Sequence, residues 1–108
     1  MSNEASGEIH SDAPNRFVCN FVVDGSVYSY TAIMALALPN ITIKQATLKY
    51  STPDDLTGTH DFKGTVGTDL ALTISNGPTM AGKLAPPVID PVAHINGNGV
   101  WSLTVLGE

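Results

Sequence analysis

Cysteine is nearly absent from this chain of 108 residues, in which Cys19 is the only one. A single cysteine excludes a disulfide within the chain, and a zinc site would have to be built from histidine and carboxylate ligands. We expect Cys19 to lie on a core-facing side of a strand, where a thiol stays protonated and inert. The sequence therefore fits neither a disulfide-stapled scaffold nor a cysteine-ligated zinc domain.

Charge is also scarce, because charged residues make up 14% of the chain and only five of them are basic, against ten acidic ones. An average soluble domain has roughly 25% charged residues. Binding to a phosphate backbone needs clustered lysine and arginine side chains, and the five basic residues here are scattered along the chain. We therefore expect no nucleic acid partner, and the same argument disfavours anionic membrane surfaces.

Long apolar runs are missing as well. The longest, Ala32 to Leu38, has seven residues, whereas a membrane-spanning helix needs about 20. Residues 1–15 contain neither the basic start nor the apolar centre of a secretory signal. We expect no membrane span, and a protein that is cytoplasmic or exported without a cleavable signal peptide.

Catalytic and cofactor-binding motifs are absent from the sequence. It contains no G-x-S-x-G, no H-E-x-x-H and no glycine-rich phosphate loop, and no two of its three histidines stand at ligand spacing. We expect no enzymatic activity, no cofactor and no resident metal; the enzymatic alternative is an active site assembled from Asp and His residues that are distant in sequence. Calcium prefers oxygen ligands, and the one calcium candidate that the sequence offers is the acidic set Asp54, Asp55 and Asp61.

What the sequence does contain is alternating apolar and polar residues divided by turn signals. The dipeptide Asp24-Gly25 predicts a type I′ hairpin turn, and this register pairs Phe21 with Tyr28. One face of the hairpin is then aromatic and faces the core. The other face is half-apolar, with Val18, Val22, Val27 and Ile33.

Similar arguments apply to the rest of the chain. The apolar phase changes within residues 44–46, which predicts a β-bulge there. A three-residue loop at 67–69 gives the best apolar match between its flanking strands. After residues 76–78, no hairpin register would pair Leu70, Leu72 and Ile74 with apolar residues. We therefore expect the chain to cross over at this point and not to form a hairpin. The glycines in 96–99 predict a turn that sets His94 beside Trp101.

No segment has the apolar spacing of a helix over three turns, so the predicted class is all-β. Six to eight short strands favour a small two-sheet sandwich of immunoglobulin-like kind, with a small closed β-barrel as the alternative. Residues 1–15 are polar and aperiodic and are expected to form a flexible arm. Residues 16–108 are expected to form a single β domain.

Two functions from different classes follow from this pattern. The first is a non-catalytic interaction module or assembly subunit that binds a protein partner or itself through its surface, with Val27 and Ile33 on the half-apolar hairpin face. The alternative is a domain that binds a small ligand or glycan through end loops and an aromatic platform. The residues of that platform would be His94, Asn96, Asn98 and Trp101.

Overall fold

The computed structural model describes residues 3–34, 41–85, 89 and 91–105. Within these residues the chain forms eight β-strands and one short 3-10 helix, η1. No helix in this part of the chain is long and apolar enough to cross a membrane. The elements are β1 (Asn3–Ala13), β2 (Arg16–Val23), β3 (Ser26–Met34), β4 (Thr42–Tyr50), η1 (Pro53–Leu56), β5 (Thr59–Val66), β6 (Asp69–Ile74), β7 (Thr79–Lys83) and β8 (Ala93–Val105).

The strands close into one antiparallel barrel in the order β1-β2-β3-β8-β5-β6-β7-β4, with β4 paired back to β1. Because the barrel is closed, each of these strands has a hydrogen-bonded neighbour on both sides. The all-β prediction is confirmed, and the architecture is the closed barrel given as the alternative to a sandwich.

The β2-β3 hairpin has the predicted turn and register. Asp24 and Gly25 have φ angles of 51° and 78°, which both central residues of a type I′ turn require. Phe21 pairs with Tyr28 and Cys19 with Tyr30, as the sequence predicts. The aromatic side of this hairpin therefore faces the interior of the barrel.

The predicted β-bulge and the predicted loop are also present. Gly7 of β1 pairs with Ala46 and Ile9 pairs with Ile43, so two residues of β4 stand opposite one residue of β1. The bulge keeps both Ile43 and Ala46 on the inner side, where they are buried. In the next hairpin Val66 pairs with Leu70 across the three-residue loop.

The prediction of a flexible arm over residues 1–15 is wrong for Asn3–Ala13, which form β1. This strand pairs with β2 on one side and β4 on the other, and it closes the barrel. Its inward positions include Ala5, Gly7 and Ile9, so only one large apolar side chain reaches the core. The strand lacks a strong apolar pattern in part because Phe21 of β2 fills the space at Gly7, where an added Cβ atom would lie 2.7 Å from Cδ1 of that ring.

The predicted crossing after residues 76–78 is also wrong, because β6 and β7 form a hairpin. Leu72 pairs with Met80, but Leu70 pairs with Gly82. A Cβ atom at Gly82 would lie 2.5 Å from the Cγ2 atom of Ile43, so the side chain of Ile43 already occupies that space. An apolar partner for Leu70 therefore comes from another strand, and pairwise matching along the sequence cannot find it.

The predicted turn within residues 96–99 is replaced by one continuous strand, β8. Gly97 and Gly99 do not have positive φ angles. Instead they allow close approach: a Cβ atom at Gly99 would lie 2.5 Å from Cζ of Tyr30, and one at Gly97 would collide with the backbone carbonyl of Ile33. These glycines fit β8 against β3, and the prediction failed because glycine serves both turns and close contacts.

An aromatic cluster fills the centre of the barrel. The rings of Tyr30 and Phe62 meet edge to face with their centroids 6.2 Å apart, and Phe17 meets Phe62 in the same way at 5.6 Å. The ring of Trp101 lies 5.0 Å from that of Tyr30. Leu56 of η1 is buried as well. The interior is therefore a packed core, and functional surfaces have to be sought on the outside.

Candidate functional site

Three neighbouring strands of the barrel, β2, β3 and β8, are almost free of charge. Arg16 is the only Asp, Glu, Lys or Arg residue on them. Their outward side chains form a surface that we name the uncharged face. It consists of Val18, Asn20 and Val22 on β2, of Val27, Ser29, Thr31 and Ile33 on β3, and of Asn98, Val100, Ser102 and Thr104 on β8.

Apolar side chains on the uncharged face form two spots. In the first, Val18 and Val100 flank Thr31 in one cross-strand row, and Ile33 lies diagonally next to both valines. The second spot is the directly paired Val22 and Val27. Three of these side chains are about half exposed: Val22 at 53%, Ile33 at 48% and Val100 at 47%.

A polar row separates the two apolar spots. It contains Asn20, Ser29 and Ser102, which are neighbours across the three strands. The hydroxyl of Ser29 donates a hydrogen bond to Oδ1 of Asn20 at 2.6 Å. Because these two groups already satisfy each other in part, covering the row removes fewer bonds to water than covering two free polar side chains would.

Charged side chains flank the uncharged face on both sides. On one side Glu8 of β1 lies next to Asn20 and opposite the bulge that carries Lys44. On the other side Asp61 and Lys63 of β5 lie next to Asn98 and Asn96 of β8. Each flank therefore carries charges of both signs, and Asp12 adds a second acidic side chain on the β1 side.

Ion pairs lie at the margin of the face and beyond it. Asp12 and Arg16 form one with 2.6 Å between the carboxylate oxygen and the guanidinium nitrogen, and Glu4 lies 3.9 Å from the amine of Lys49. All four side chains are at least 43% exposed, so each pair contributes little to stability. Arg16, the one charged residue on the three strands, is thus paired with an acidic side chain of β1.

A groove of about 810 Å³ runs along the outer surface beside the uncharged face. Val22 and Val27 line one side of it, and Glu8, Lys44 and Gln45 line the side near the bulge. The groove offers carboxylate, ammonium and amide groups within one concave surface. Its volume lies within the roughly 300 to 1,000 Å³ of known small-molecule sites.

The aromatic platform predicted around Trp101 does not form. Trp101 points into the barrel and is only 6% exposed, whereas His94, Asn96 and Asn98 point outward from the same strand. His94 pairs with Thr65 and not with Trp101. The structure therefore places the three polar residues on one surface and the indole in the core, because β8 is one strand and not a hairpin.

The acidic residues of the calcium candidate have structural surroundings of their own. Oδ2 of Asp55 accepts hydrogen bonds from the backbone N–H groups of Ser51 and Thr52 and caps η1. Asp61 lies on the outer face of β5. In residues 3–34, 41–85, 89 and 91–105, no three His, Cys, Asp or Glu side chains are grouped so that they could hold a metal ion.

The histidines do not form a cluster with a shared role. A ring nitrogen of His60 lies 2.8 Å from the carbonyl oxygen of Thr57, which ties the start of β5 to the loop before it. His10 faces outward on β1, where it neighbours Val18 and Thr42. The structure does not bring either histidine next to His94, which is the second residue of β8 and pairs with Thr65.

Cys19 is fully buried, as predicted from the sequence. Burial raises the pKa of its thiol above the ordinary range, because the charged thiolate would lose its hydration. Burial also raises the pKa of Tyr30, with smaller contributions from Cys19 and Asp61. Both groups are therefore neutral at physiological pH, and a thiolate nucleophile is not available at this position.

Comparison with known proteins gives no relative from which a role could be transferred. No family model, no curated protein and no solved structure matches this chain. The functional argument therefore rests on the geometry of the outer surface.

Part of the uncharged face was missed in the sequence. Val27 and Ile33 were identified there, but Val100, Ser102 and Thr104 were not, since the predicted hairpin placed residues 96–105 elsewhere. A signal was present: residues 93–105 contain no Asp, Glu, Lys or Arg, and neither do residues 26–34. This shared lack of charge marks both strands as candidates for one interaction surface, but the strand order that joins them is not written in it.

Proposed function

We propose that this barrel is a non-catalytic interaction module or assembly subunit that binds a protein partner through the uncharged face. The observation that carries the proposal is the lack of charge on three adjacent strands, together with the half-exposed Val22, Ile33 and Val100. Interface centres in proteins are depleted of charged residues and have polar rims. A surface distinguished by missing charge suits contact with another macromolecule better than it suits chemistry.

Site-specific photo-crosslinking tests the proposal. A photoreactive residue replaces Val100 on the uncharged face, and in a control chain it replaces Ala81, which is exposed on β7 at the opposite side of the barrel. In cells that make the protein, we expect a discrete adduct from position 100 and none from position 81. The same chain with Val27→Asp should lose the adduct.

Equal crosslinking from both positions would contradict the proposal, as would an adduct that persists in the Val27→Asp chain. Folding has to be checked by circular dichroism, because Val27 is partly buried. If Val27→Asp unfolds, Ile33→Asp replaces it, since Ile33 is 48% exposed and tolerates a polar side chain more easily.

A second function, binding of a small polar ligand or glycan, is favoured by the groove beside the bulge. Its hydrogen-bonding side chains include Glu8, Asn20, Lys44 and Gln45. A glycan panel monitored by the side-chain amide signals of Asn20 and Gln45 in NMR spectra tests this function. Saturable shifts confined to the groove support it, and unchanged spectra across the panel contradict it. Trp101 fluorescence is unsuitable here, because the indole is buried.

A further inference from the structure

The electrostatics of the barrel restrict what can cover the uncharged face. The chain has a net charge of −5, so two copies repel each other at most orientations. On the described strands the acidic side chains lie on β1, β5 and β6, outside β2, β3 and β8. A charged partner would find charged groups only at the margin of this face, at Arg16, which is paired with Asp12, and at Asp24 in the turn between β2 and β3. An equally uncharged surface fits it, and each further copy of the chain carries one.

The pattern of side chains on the face is self-complementary about its central strand, β3. Consider a two-fold axis that lies between the two copies and runs parallel to β3. It places β2 of one copy over β8 of the other, and each cross-strand row faces the same row of the second copy. Val18 then faces Val100 of the second copy, and the polar row faces its own equivalent. Val27 and Ile33, both on β3, face their own counterparts.

The charged flanks are compatible with this arrangement. The same axis brings the flank on β1 and β4 towards the flank on β5 of the other copy. The flank on β1 and β4 carries Glu8, Asp12 and Lys44, and the flank on β5 carries Asp61 and Lys63. Both flanks therefore contain charges of both signs, and the Asp12 carboxylate is already paired with Arg16.

The size of the face sets the strength of such an association. Three strands of about nine residues cover roughly 14 Å by 30 Å, or about 400 Å² per copy. Specific stable interfaces bury about 800 Å² per partner, and smaller ones are weak and reversible. The face also lacks the aromatic side chains that anchor tight interfaces.

From these observations we infer that the uncharged face binds a second copy of this chain, forming a weak, reversible two-fold dimer with the β3 strands at its centre. The inference rests on the proposed function and names the partner. Dimers of this size are expected to form at roughly tens to hundreds of micromolar protein.

Charge substitution at Val27 tests the inference, because Val27 faces its own counterpart across the axis. Sedimentation velocity over roughly 10 to 1,000 µM should show a concentration-dependent dimer for the unaltered chain. Val27→Asp and Val27→Lys should each be monomeric over this range, since like charges then meet at the axis. An equimolar mixture of the two variants should restore a dimer that contains one copy of each.

Matched controls are Ala81→Asp and Ala81→Lys, on the exposed surface of β7 opposite β3. Both should dimerise like the unaltered chain. Should Val27 variants fail to fold, Ile33→Asp and Ile33→Lys provide the same test, because Ile33 also lies on the axis strand.

Three results would overturn the inference: a monomer at every concentration, a dimer insensitive to the charge at position 27, or variants that do not associate when mixed. None of these results decides the proposed function. A crosslinked adduct from position 100 that contains a different protein would leave the uncharged face as an interface and remove only the second copy as its partner.

Discussion

The phenolic oxygen of Tyr30 lies 2.6 Å from the carbonyl oxygen of His60 and donates a hydrogen bond to it. Tyr30 belongs to β3 and His60 to β5, two strands that are not neighbours, because β8 lies between them. The ring reaches the carbonyl by passing over Gly99, the residue of β8 that pairs with His60. One side chain therefore fastens three strands together inside the barrel.

Tyr30→Phe is expected to lower the free energy of unfolding by about 1 to 3 kcal/mol, because it leaves the His60 carbonyl without this donor while keeping the ring in place. Urea denaturation followed by circular dichroism measures the loss. Tyr28→Phe is the matched control, since the Tyr28 hydroxyl has no hydrogen-bond partner among the described residues. An equal effect of the two substitutions would contradict a specific role for the Tyr30 hydroxyl.

Gly99→Ala is expected to destabilise the barrel by about 1 to 3 kcal/mol or more, because the added methyl group meets Cζ of Tyr30 and the carbonyl oxygen of Thr31. Neither neighbour can move without disturbing the pairing of β3 and β8. Ser102→Ala changes an exposed residue of the same strand and should stay within about 0.5 kcal/mol of the unaltered protein. Thermal and urea unfolding of both variants compare them directly. A neutral Gly99→Ala would contradict the close approach of β8 to Tyr30 and Thr31 at this position.

Alkaline pH should destabilise the protein through Cys19 and Tyr30, whose pKa values are raised in the folded state. The unfolded chain releases these protons at ordinary pKa values, about 8.5 for cysteine and about 10 for tyrosine. Stability from keeping both groups neutral is therefore complete below about pH 8.5 and is lost as pH rises towards the raised values. Each group adds a slope of roughly 1 kcal/mol per pH unit once its unfolded form ionises.

Urea denaturation at a series of pH values measures this effect, and Cys19→Ala is the variant that separates its two parts. It should lose some stability at every pH, because it leaves a small cavity. Between about pH 8.5 and 10, however, its stability should be flat, while that of the unaltered protein falls. Parallel curves for the two proteins would show that Cys19 does not contribute to the pH dependence.

Local features of the fold were predictable where a single stretch of sequence determines them. The Asp24-Gly25 turn imposes its φ angles and hence the register of β2 and β3. The phase change between Ile43 and Ala46 likewise requires a bulge if both are to be buried. These features depend on alternation and turn geometry, which operate within about 20 residues.

Features that depend on distant strands were not predictable in this way. The role of Gly99 depends on the ring of Tyr30, and that of Gly82 depends on Ile43, from strands far away in sequence. The pairing of β1 depends on closure with β4, whose own sequence gives no sign of it. For the same reason the sequence located only the hairpin part of the uncharged face, and the groove at the bulge was not predicted at all.

The position of β8 between β3 and β5 also affects the order in which the molecule can be completed during synthesis. Strands β1 to β7 can pair in the order β3-β2-β1-β4-β7-β6-β5 before Ala93–Val105 is available, but this sheet stays open between β3 and β5. Until then β3 and β5 each present an unpaired edge, which is a target for chaperones and for aggregation. The barrel can therefore close only after the eighth strand has been translated.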